Sequence, residues 1–258
     1  MTTLASAEVP EVDARGSIAE GYAVVRAALH STFVPTIYRR LAIHPEAFAI
    51  AVAVLPEVVR IGDDAGFVAL ACSTARAALP APGDFDAAAL RELPEGEPGP
   101  GAVLGRYRRA NPLNLLFSLS ICGLAVPPKP AVMAPPLPIS DDADLWADIE
   151  ACHRAAFVPG VWRELAPWPA VLNDLWPRTR QLAAVGGVVG ARDAVRQLAI
   201  TVLSGTSVEH GATRARDALG PDAAAAFDWF PTGIATMVAE VEWLTWYSGT
   251  PHQGKDRP

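Results

Sequence analysis

A stretch of thirteen residues, FVPTIYRRLAIHP from Phe33 to Pro45, returns later in the chain as FVPGVWRELAPWP from Phe157 to Pro169. Seven of the thirteen positions are identical, and the two copies lie 124 residues apart in a chain of 258 residues. A spacing of half the chain is too long for a solenoid repeat and matches the size of a duplicated domain. The sequence therefore predicts two similar halves that form a pseudo-dimer within one chain.

The sequence around both copies favours helices, because apolar residues recur at intervals of three and four rather than two. Clear examples run from Ile18 to Leu29 and from Phe227 to Trp246. The run from Ala47 to Leu55 is rich in alanine and follows Pro45, and proline is a favoured residue in the first turn of a helix. We therefore expect an all-α fold in which two similar helical repeats surround a central pocket.

Proline marks the predicted boundary between the halves. Six prolines lie among the twelve residues from Pro127 to Pro138, and this segment has neither helical nor strand periodicity. We therefore expect a first helical repeat over residues 1–126, a proline-rich linker over residues 127–140 and a second helical repeat over residues 141–258.

The charge of the chain argues against nucleic acid and membrane as partners. Acidic residues outnumber basic ones by 28 to 21, the formal net charge is −7, and no basic run is present. The chain thus lacks the electrostatic footprint that binds nucleic acids or anionic membrane surfaces. The longest uncharged stretch, from Ala110 to Pro128, carries two asparagines and three prolines. It therefore predicts a buried helix rather than a membrane span.

Cysteine usage and the amino terminus predict a cytoplasmic protein. Residues 1–21 are polar and acidic, and they lack the basic flank and apolar core of a signal peptide. The three cysteines, Cys72, Cys122 and Cys152, lie far apart and have the spacing of neither a zinc site nor a disulfide framework. A reducing compartment, the cytoplasm, is therefore expected. No metal ion or cofactor is implied.

Two asparagines near the start of the uncharged stretch need an explanation. Asn111 and Asn114 follow the segment from Arg106, whereas the counterpart in the second half, near residues 229–233, contains no asparagine. Asparagine commonly caps a helix, but its amide is also a hydrogen-bonding group that suits a pocket. Both interpretations stay open at this point: the two amides cap a helix, or Asn111 faces the cleft between the halves.

Four sequence elements resemble, in order, those of the group I 2-haloacid dehalogenases. They are the paired VPxxxRxLAxxP segments, the Tyr107–Leu116 stretch with its Asn-Pro step, the PPLP element at Pro135–Pro138 and the Leu-Ala-x-Trp-Pro run that ends at Pro169. The resemblance extends from about residue 20 to residue 245. It implies an all-helical fold of two similar halves, with the active site between them.

The resemblance also implies roles for individual positions. In that family an aspartate activates a water molecule that attacks the halogen-bearing carbon directly, and an asparagine holds the water. The asparagine matches Asn111, so the resemblance makes Asn111 the catalytic candidate. The aspartate position holds Val161 and the preceding serine position holds Gly160, and valine has no acceptor with which to take a proton.

We therefore expect a largely apolar pocket between the halves. Its expected ligand is a small organic molecule, for which a carboxylate is one candidate group. We also expect hydrolytic dehalogenation by the family route to be impaired. Alignment gives Phe33, Thr36, Asn111, Asn114, Gly160 and Val161 as pocket residues, and Trp162 is added because it adjoins Val161.

Two alternative functions stay open. A working dehalogenase or hydrolase would need another base, such as Glu164, one helical turn beyond Val161, or His44, which occupies the position of Trp168 in the other copy. A non-catalytic binding or interaction protein would instead use a surface, for example as a homodimer through the segment from Trp243 to Trp246.

Overall fold

The computed structural model describes residues 8–81, 99–124, 142–206 and 208–247. Within these ranges the chain forms α-helices, one short 3-10 turn at Glu11–Asp13 and no strand, so the predicted all-α fold is confirmed. The helices are α1 (Gly16–Leu29), α2 (Thr36–Leu41), α3 (Pro45–Asp64), α4 (Phe67–Ala78), α5 (Pro100–Cys122), α6 (Asp142–His153), α7 (Gly160–Leu165), α8 (Pro169–Ala184), α9 (Val189–Leu203), α10 (Val208–Phe227) and α11 (Phe230–Tyr247).

The two copies of the repeated stretch have the same local backbone. Helices α2 and α7 are both six residues long, and each begins after an extended proline, Pro35 (φ −58°, ψ 150°) or Pro159 (φ −56°, ψ 144°). Among the described residues, two non-glycine residues have a left-handed backbone, His30 (φ 47°) and Arg154 (φ 50°), and they also lie 124 residues apart. The division into two domains stays a prediction, and the linker at 127–140 lies outside the described residues.

The two halves share one hydrophobic core. Helix α3 packs against α10, α4 against α9 and α5 against α11, so three helices of the first half have their main partners in the second half, whereas α1 packs mainly against α3. Burial of apolar faces is the main favourable term in folding. Neither half buries these faces without the other.

Helix α5 passes through the centre of this core. All side chains from Ala110 to Cys122 are buried, as the sequence predicts for the uncharged stretch. Pro112 has no N–H, which leaves the carbonyl of Arg108, four residues earlier, without its helical donor. The thiol of Cys72 on α4 donates to that carbonyl at 3.8 Å, so a side chain from the neighbouring helix accommodates the Asn-Pro step.

In the part of the chain that the structure describes, no helix is both long and apolar enough to cross a bilayer.

His153 on α6 and Glu240 on α11 form a buried pair. The His153 Nε2 atom lies 3.0 Å from a Glu240 carboxylate oxygen, and both side chains are about 1% exposed. Burial by itself lowers the pKa of His153, but the Glu240 carboxylate and a hydrogen bond to the Ile149 carbonyl outweigh burial. The pKa of His153 is therefore raised above its ordinary value of 6.5.

This pair predicts how stability depends on pH. Since the folded-state pKa of His153 exceeds the unfolded value, the pair stabilises the protein fully below about pH 6.5, and the contribution is lost as the pH rises through the folded pKa. We expect the unfolding free energy of the unmodified protein, relative to a His153→Gln variant, to fall as the pH rises from about 6.5 through the raised pKa of His153. Urea unfolding across this range checks it, with His30→Asn at an exposed helix end as control. A difference that stays constant with pH would contradict the prediction.

Candidate functional site

A chamber of about 50 Å³ lies at the seam between the two halves. This volume corresponds to on the order of four water-sized groups. We call it the inner chamber. Both halves contribute to its walls, and apolar side chains predominate. The described residues that line it are Pro35, Thr36, Ile37, Tyr107, Asn111, Asn114, Phe157, Pro159, Gly160, Val161, Trp229, Phe230, Ile234 and Met237.

Two amides on α5 lie in the wall of the inner chamber. Asn111 and Asn114 are three residues apart, so they share one face of the helix. They are only 6% and 3% exposed, and among the described residues Asn111 Nδ2 and Asn114 Oδ1 have no hydrogen-bond partner. Helix α5 begins at Pro100, eleven residues before Asn111, so the capping interpretation is wrong. A buried polar atom without a partner costs about 1–3 kcal/mol, and a ligand with one acceptor and one donor would satisfy both amides.

Val161 lies in the wall of the same chamber. It is the residue that the sequence resemblance matches to the aspartate of the group I 2-haloacid dehalogenases. Its side chain is buried. Among the described residues that line the inner chamber there is no carboxylate, histidine, lysine or cysteine. A general base must lie within hydrogen-bond reach of the proton that it removes. The inner chamber therefore offers hydrogen-bonding groups but no base to activate water.

Gly160 allows a close approach between α7 and α5. A β-carbon built at Gly160 would clash with the hydroxyl oxygen of Tyr107. Glycine has no β-carbon and tolerates such an approach. The Tyr107 hydroxyl thus occupies the space that a serine side chain at position 160 would need.

A larger chamber of about 240 Å³ adjoins the inner one, and we call it the outer chamber. The two chambers share the wall residues Pro35, Thr36, Tyr107 and Gly160, so they are contiguous. The outer chamber differs in being charged. Its other described lining residues are Phe33, Val34, Arg39, Arg163 and Glu164.

Two donors hold the carboxylate of Glu164 in the wall of the outer chamber. Arg106 Nη2 donates to one oxygen and the Tyr107 hydroxyl donates to the other, both at 2.7 Å. Burial, and then the nearby Glu164 carboxylate, raise the pKa of Tyr107 well above its ordinary value. Tyr107 therefore stays protonated and donates, and Glu164 is an ion-paired acceptor with a fixed orientation.

The structure brings six of the seven predicted pocket residues to the two chambers. Thr36 and Gly160 line both chambers, and Phe33 lines only the outer one, with its ring 5.0 Å from that of Tyr107. Asn111, Asn114 and Val161 line the inner chamber, as described above. Trp162 lines neither chamber, because its side chain points into the core and packs edge-on against Trp176 at 5.0 Å.

His44 lies away from both chambers. It precedes α3 as its N-cap residue and lines a separate small pocket together with Phe227. His44 is therefore not placed to act as a base in either chamber.

Sequence reasoning missed several aromatic wall residues. Tyr107 lines both chambers, and Phe157, Trp229 and Phe230 from the second half line the inner chamber. Two signals were present in the sequence. Phe157 is the repeat partner of the predicted residue Phe33, and Trp229 and Phe230 lie in or beside the periodic helix of the second half.

The part of the chain that the structure describes contains neither a reactive thiol nor a metal site. Burial raises the pKa of Cys72, Cys122 and Cys152 to about 12 in each case. The three thiols are thus protonated near neutral pH, and the thiolate is the nucleophilic form. Within the described ranges, no group of three histidine, cysteine, aspartate or glutamate side chains lies close enough to hold a metal ion.

The segment from Trp243 to Trp246 is largely enclosed within the chain. Trp243 is buried, and Trp246 is partly covered by the Arg76 guanidinium, whose carbon lies 5.3 Å from the ring centroid. A homodimer through this segment stays a prediction.

Three solved structures share this fold along nearly the whole chain. A D-2-haloacid dehalogenase mutant gives a TM-score of 0.73 at 17% identity, covering 94% of this chain and 95% of that chain. The chain thus has the same fold as that enzyme. A mutant of such an enzyme in complex with D-2-CPA gives a TM-score of 0.69 at 18% identity, and a complex with L-LA gives 0.61 at 19%, each covering 92% of this chain and 94% of that chain. No family model and no curated protein matches this chain.

Proposed function

We propose that the inner chamber binds a small, largely apolar organic molecule through one polar end. We also propose that the unmodified protein does not hydrolyse carbon–halogen bonds by the route of the group I 2-haloacid dehalogenases. The two parts rest on different residues, the asparagines of α5 and Val161 of α7, and can be tested separately.

The proposal that the inner chamber binds a small molecule rests on two amide atoms that have no hydrogen-bond partner among the described residues. Asn111 Nδ2 and Asn114 Oδ1 face a chamber whose other walls are mainly apolar. Small-molecule sites typically combine apolar walls with a few convergent polar groups. A primary amide complements the pair, because its carbonyl oxygen accepts from Asn111 and its N–H donates to Asn114.

The chemistry at Val161 supports the second part. A water molecule beside Asn111 would have a hydrogen-bonding neighbour but no described group in the inner chamber that takes its proton. A positioned base contributes about 10²–10⁴ in rate. The family route lacks that contribution here.

A hydrolase with Glu164 as its base is the second candidate function. Glu164 lines the outer chamber, and Arg106 and Tyr107 fix the orientation of its carboxylate. Such a base would act on a water molecule in the outer chamber. Chloride release from 2-chloropropionate that is lost in a Glu164→Gln variant would favour this candidate.

Pentanamide is a suitable probe for the first part, because it carries one primary amide on an unbranched apolar chain, whose far end would extend from the inner chamber into the contiguous outer one. We expect it to bind the unmodified protein and to bind an Asn111→Leu variant about tenfold more weakly, since a net hydrogen bond contributes about 1 kcal/mol or slightly more. Isothermal titration calorimetry checks this. Asn173→Leu, at an exposed position on α8, is the matched control.

Two results would contradict the proposal. Equal affinity of pentanamide for the unmodified protein and the Asn111→Leu variant, or no binding to either, would remove the first part. Chloride release by the unmodified protein from either enantiomer of 2-chloropropionate, undiminished by Glu164→Gln, would remove the second part.

A further inference from the structure

Two arginines from equivalent positions of the repeated stretch meet at the outer chamber. Arg39 on α2 and Arg163 on α7 lie 124 residues apart in sequence, and both line this chamber. Both also donate to the same hydroxyl oxygen, Oγ1 of Thr36, at 3.2 Å and 2.8 Å. Thr36 lines both chambers, so the two guanidinium groups converge where the chambers join.

A single carboxylate of the chain itself lies between these guanidinium groups. Glu8 presents one oxygen to Arg39 Nη2 at 3.4 Å and the other to Arg163 Nη1 at 3.3 Å. These distances exceed the 2.7–2.9 Å or so that is typical of strong charge-assisted hydrogen bonds. In addition, Nε of Arg39 is buried without an acceptor among the described residues. One loosely held carboxylate is therefore shared between two positive charges.

We propose that Arg39 and Arg163 form a binding site for the carboxylate of an organic acid, and that Glu8 occupies this site when the acid is absent. The inference rests on the proposed function, because the body of the same molecule would enter the inner chamber. The ligand class is an unbranched acid with a carboxylate at one end and an amide or similar polar group at the other.

The geometry favours a carboxylate as the anion in this site. Glu8 shows that a carboxylate fits between the guanidinium groups with one oxygen on each, and arginine suits planar, two-oxygen acceptors. The neighbouring carboxylate, Glu164, does not compete for these arginines because Arg106 and Tyr107 already pair with it. The positive charges of Arg39 and Arg163 are therefore only partly balanced by the single carboxylate of Glu8.

Matched probes test this inference on the full-length protein. The acids are ω-carbamoyl alkanoates with two to five methylene groups, and each control is the alkanamide that has a methyl group in place of the carboxylate. We expect the best acid to bind about tenfold more tightly than its alkanamide, because hydrogen bonds to charged groups are stronger than neutral ones. Calorimetry gives both dissociation constants.

Three variants identify the groups involved. We expect Glu8→Gln to bind the acid about tenfold more tightly, because a tethered competitor is removed, and to bind the alkanamide unchanged. The double variant Arg39→Met, Arg163→Met is expected to bind the acid no better than the alkanamide. Glu20→Gln, an exposed carboxylate on α1, is the control for the change in net charge.

The outcomes separate this inference from the proposed function. Alkanamide binding with no preference for the acid at any chain length, or an acid preference that survives in the double arginine variant, would overturn the arginine site alone. Unchanged or weaker acid binding in Glu8→Gln would overturn the role of Glu8 as the occupant. Binding of neither acid nor alkanamide would overturn both proposals.

Discussion

Replacing Val161 by aspartate is expected to create a protein that releases chloride from 2-chloropropionate at least about 100-fold faster than the unmodified protein, the lower end of what a positioned base contributes. Val161 lines the inner chamber together with Asn111 and Asn114. An aspartate in its place would put a carboxylate in the same chamber wall as Asn111, which the family resemblance matches to the asparagine that holds the attacking water. Halide release, measured with both enantiomers, checks this result.

The matched control for this experiment is Val161→Asn, which buries a polar group of the same shape without a base. An apolar environment raises the pKa of a buried carboxyl, so activity of the aspartate variant should increase with pH. Adding Asn111→Ala to the aspartate variant should remove most of the gain. Equal halide release by the aspartate and asparagine variants would show that a base at position 161 is not what the chamber lacks. Gly160 is left unchanged throughout, because the Tyr107 hydroxyl fills the space beside it.

Removing the charge of Glu242 is expected to have the largest effect on stability. Glu242 on α11 is about 1% exposed, and its two carboxylate oxygens lie 2.7 Å from Arg76 on α4 and from Arg108 on α5. Replacing the Glu242 carboxylate leaves the partly buried guanidinium groups of Arg76 and Arg108 without a counter-charge. Loss of one partner of a buried ion pair costs about 3–5 kcal/mol. We expect a Glu242→Gln variant to lose free energy of unfolding in this range, as measured by urea denaturation with the slope of the transition unchanged.

Glu57→Gln is the control for the Glu242 experiment. Glu57 also pairs with an arginine, Arg60 at 2.7 Å, but on the exposed surface of α3. Solvent screens this pair, so its loss should leave the denaturation midpoint unchanged. If both variants shift the midpoint equally, burial of Glu242 is not the cause. A Glu242→Gln variant as stable as the unmodified protein would contradict the prediction.

Much of the fold follows from local rules that can be read in the sequence. The prolines at positions 45 and 169 start α3 and α8, and the apolar spacing from Ile18 to Leu29 gives α1 with only a two-residue extension at its start. The Asn-Pro step lies in a buried helix, and both asparagines face the chamber. The helix starts depend on neighbours in sequence, and the repeat contains both prolines.

The remaining features depend on contacts that no local pattern encodes. The sequence predicts Trp162 in the pocket because it adjoins Val161, but neighbouring residues on a helix point about 100° apart. The space beside Gly160 depends on a hydroxyl from Tyr107, 53 positions earlier. The Glu8 contact with Arg163 joins residues 155 positions apart. Such juxtapositions are set by how the halves pack together.

The packing of α3 with α10, α4 with α9 and α5 with α11 joins helices from both halves of the chain through one shared buried surface. Modularity is lost in such an arrangement, because neither half can be exchanged for a homologous half without rebuilding the shared surface. The inner chamber takes its walls from both halves. A molecule bound there would contact both halves and would bind only the folded chain. Ligand binding and cooperative unfolding of the whole chain would then be one coupled equilibrium.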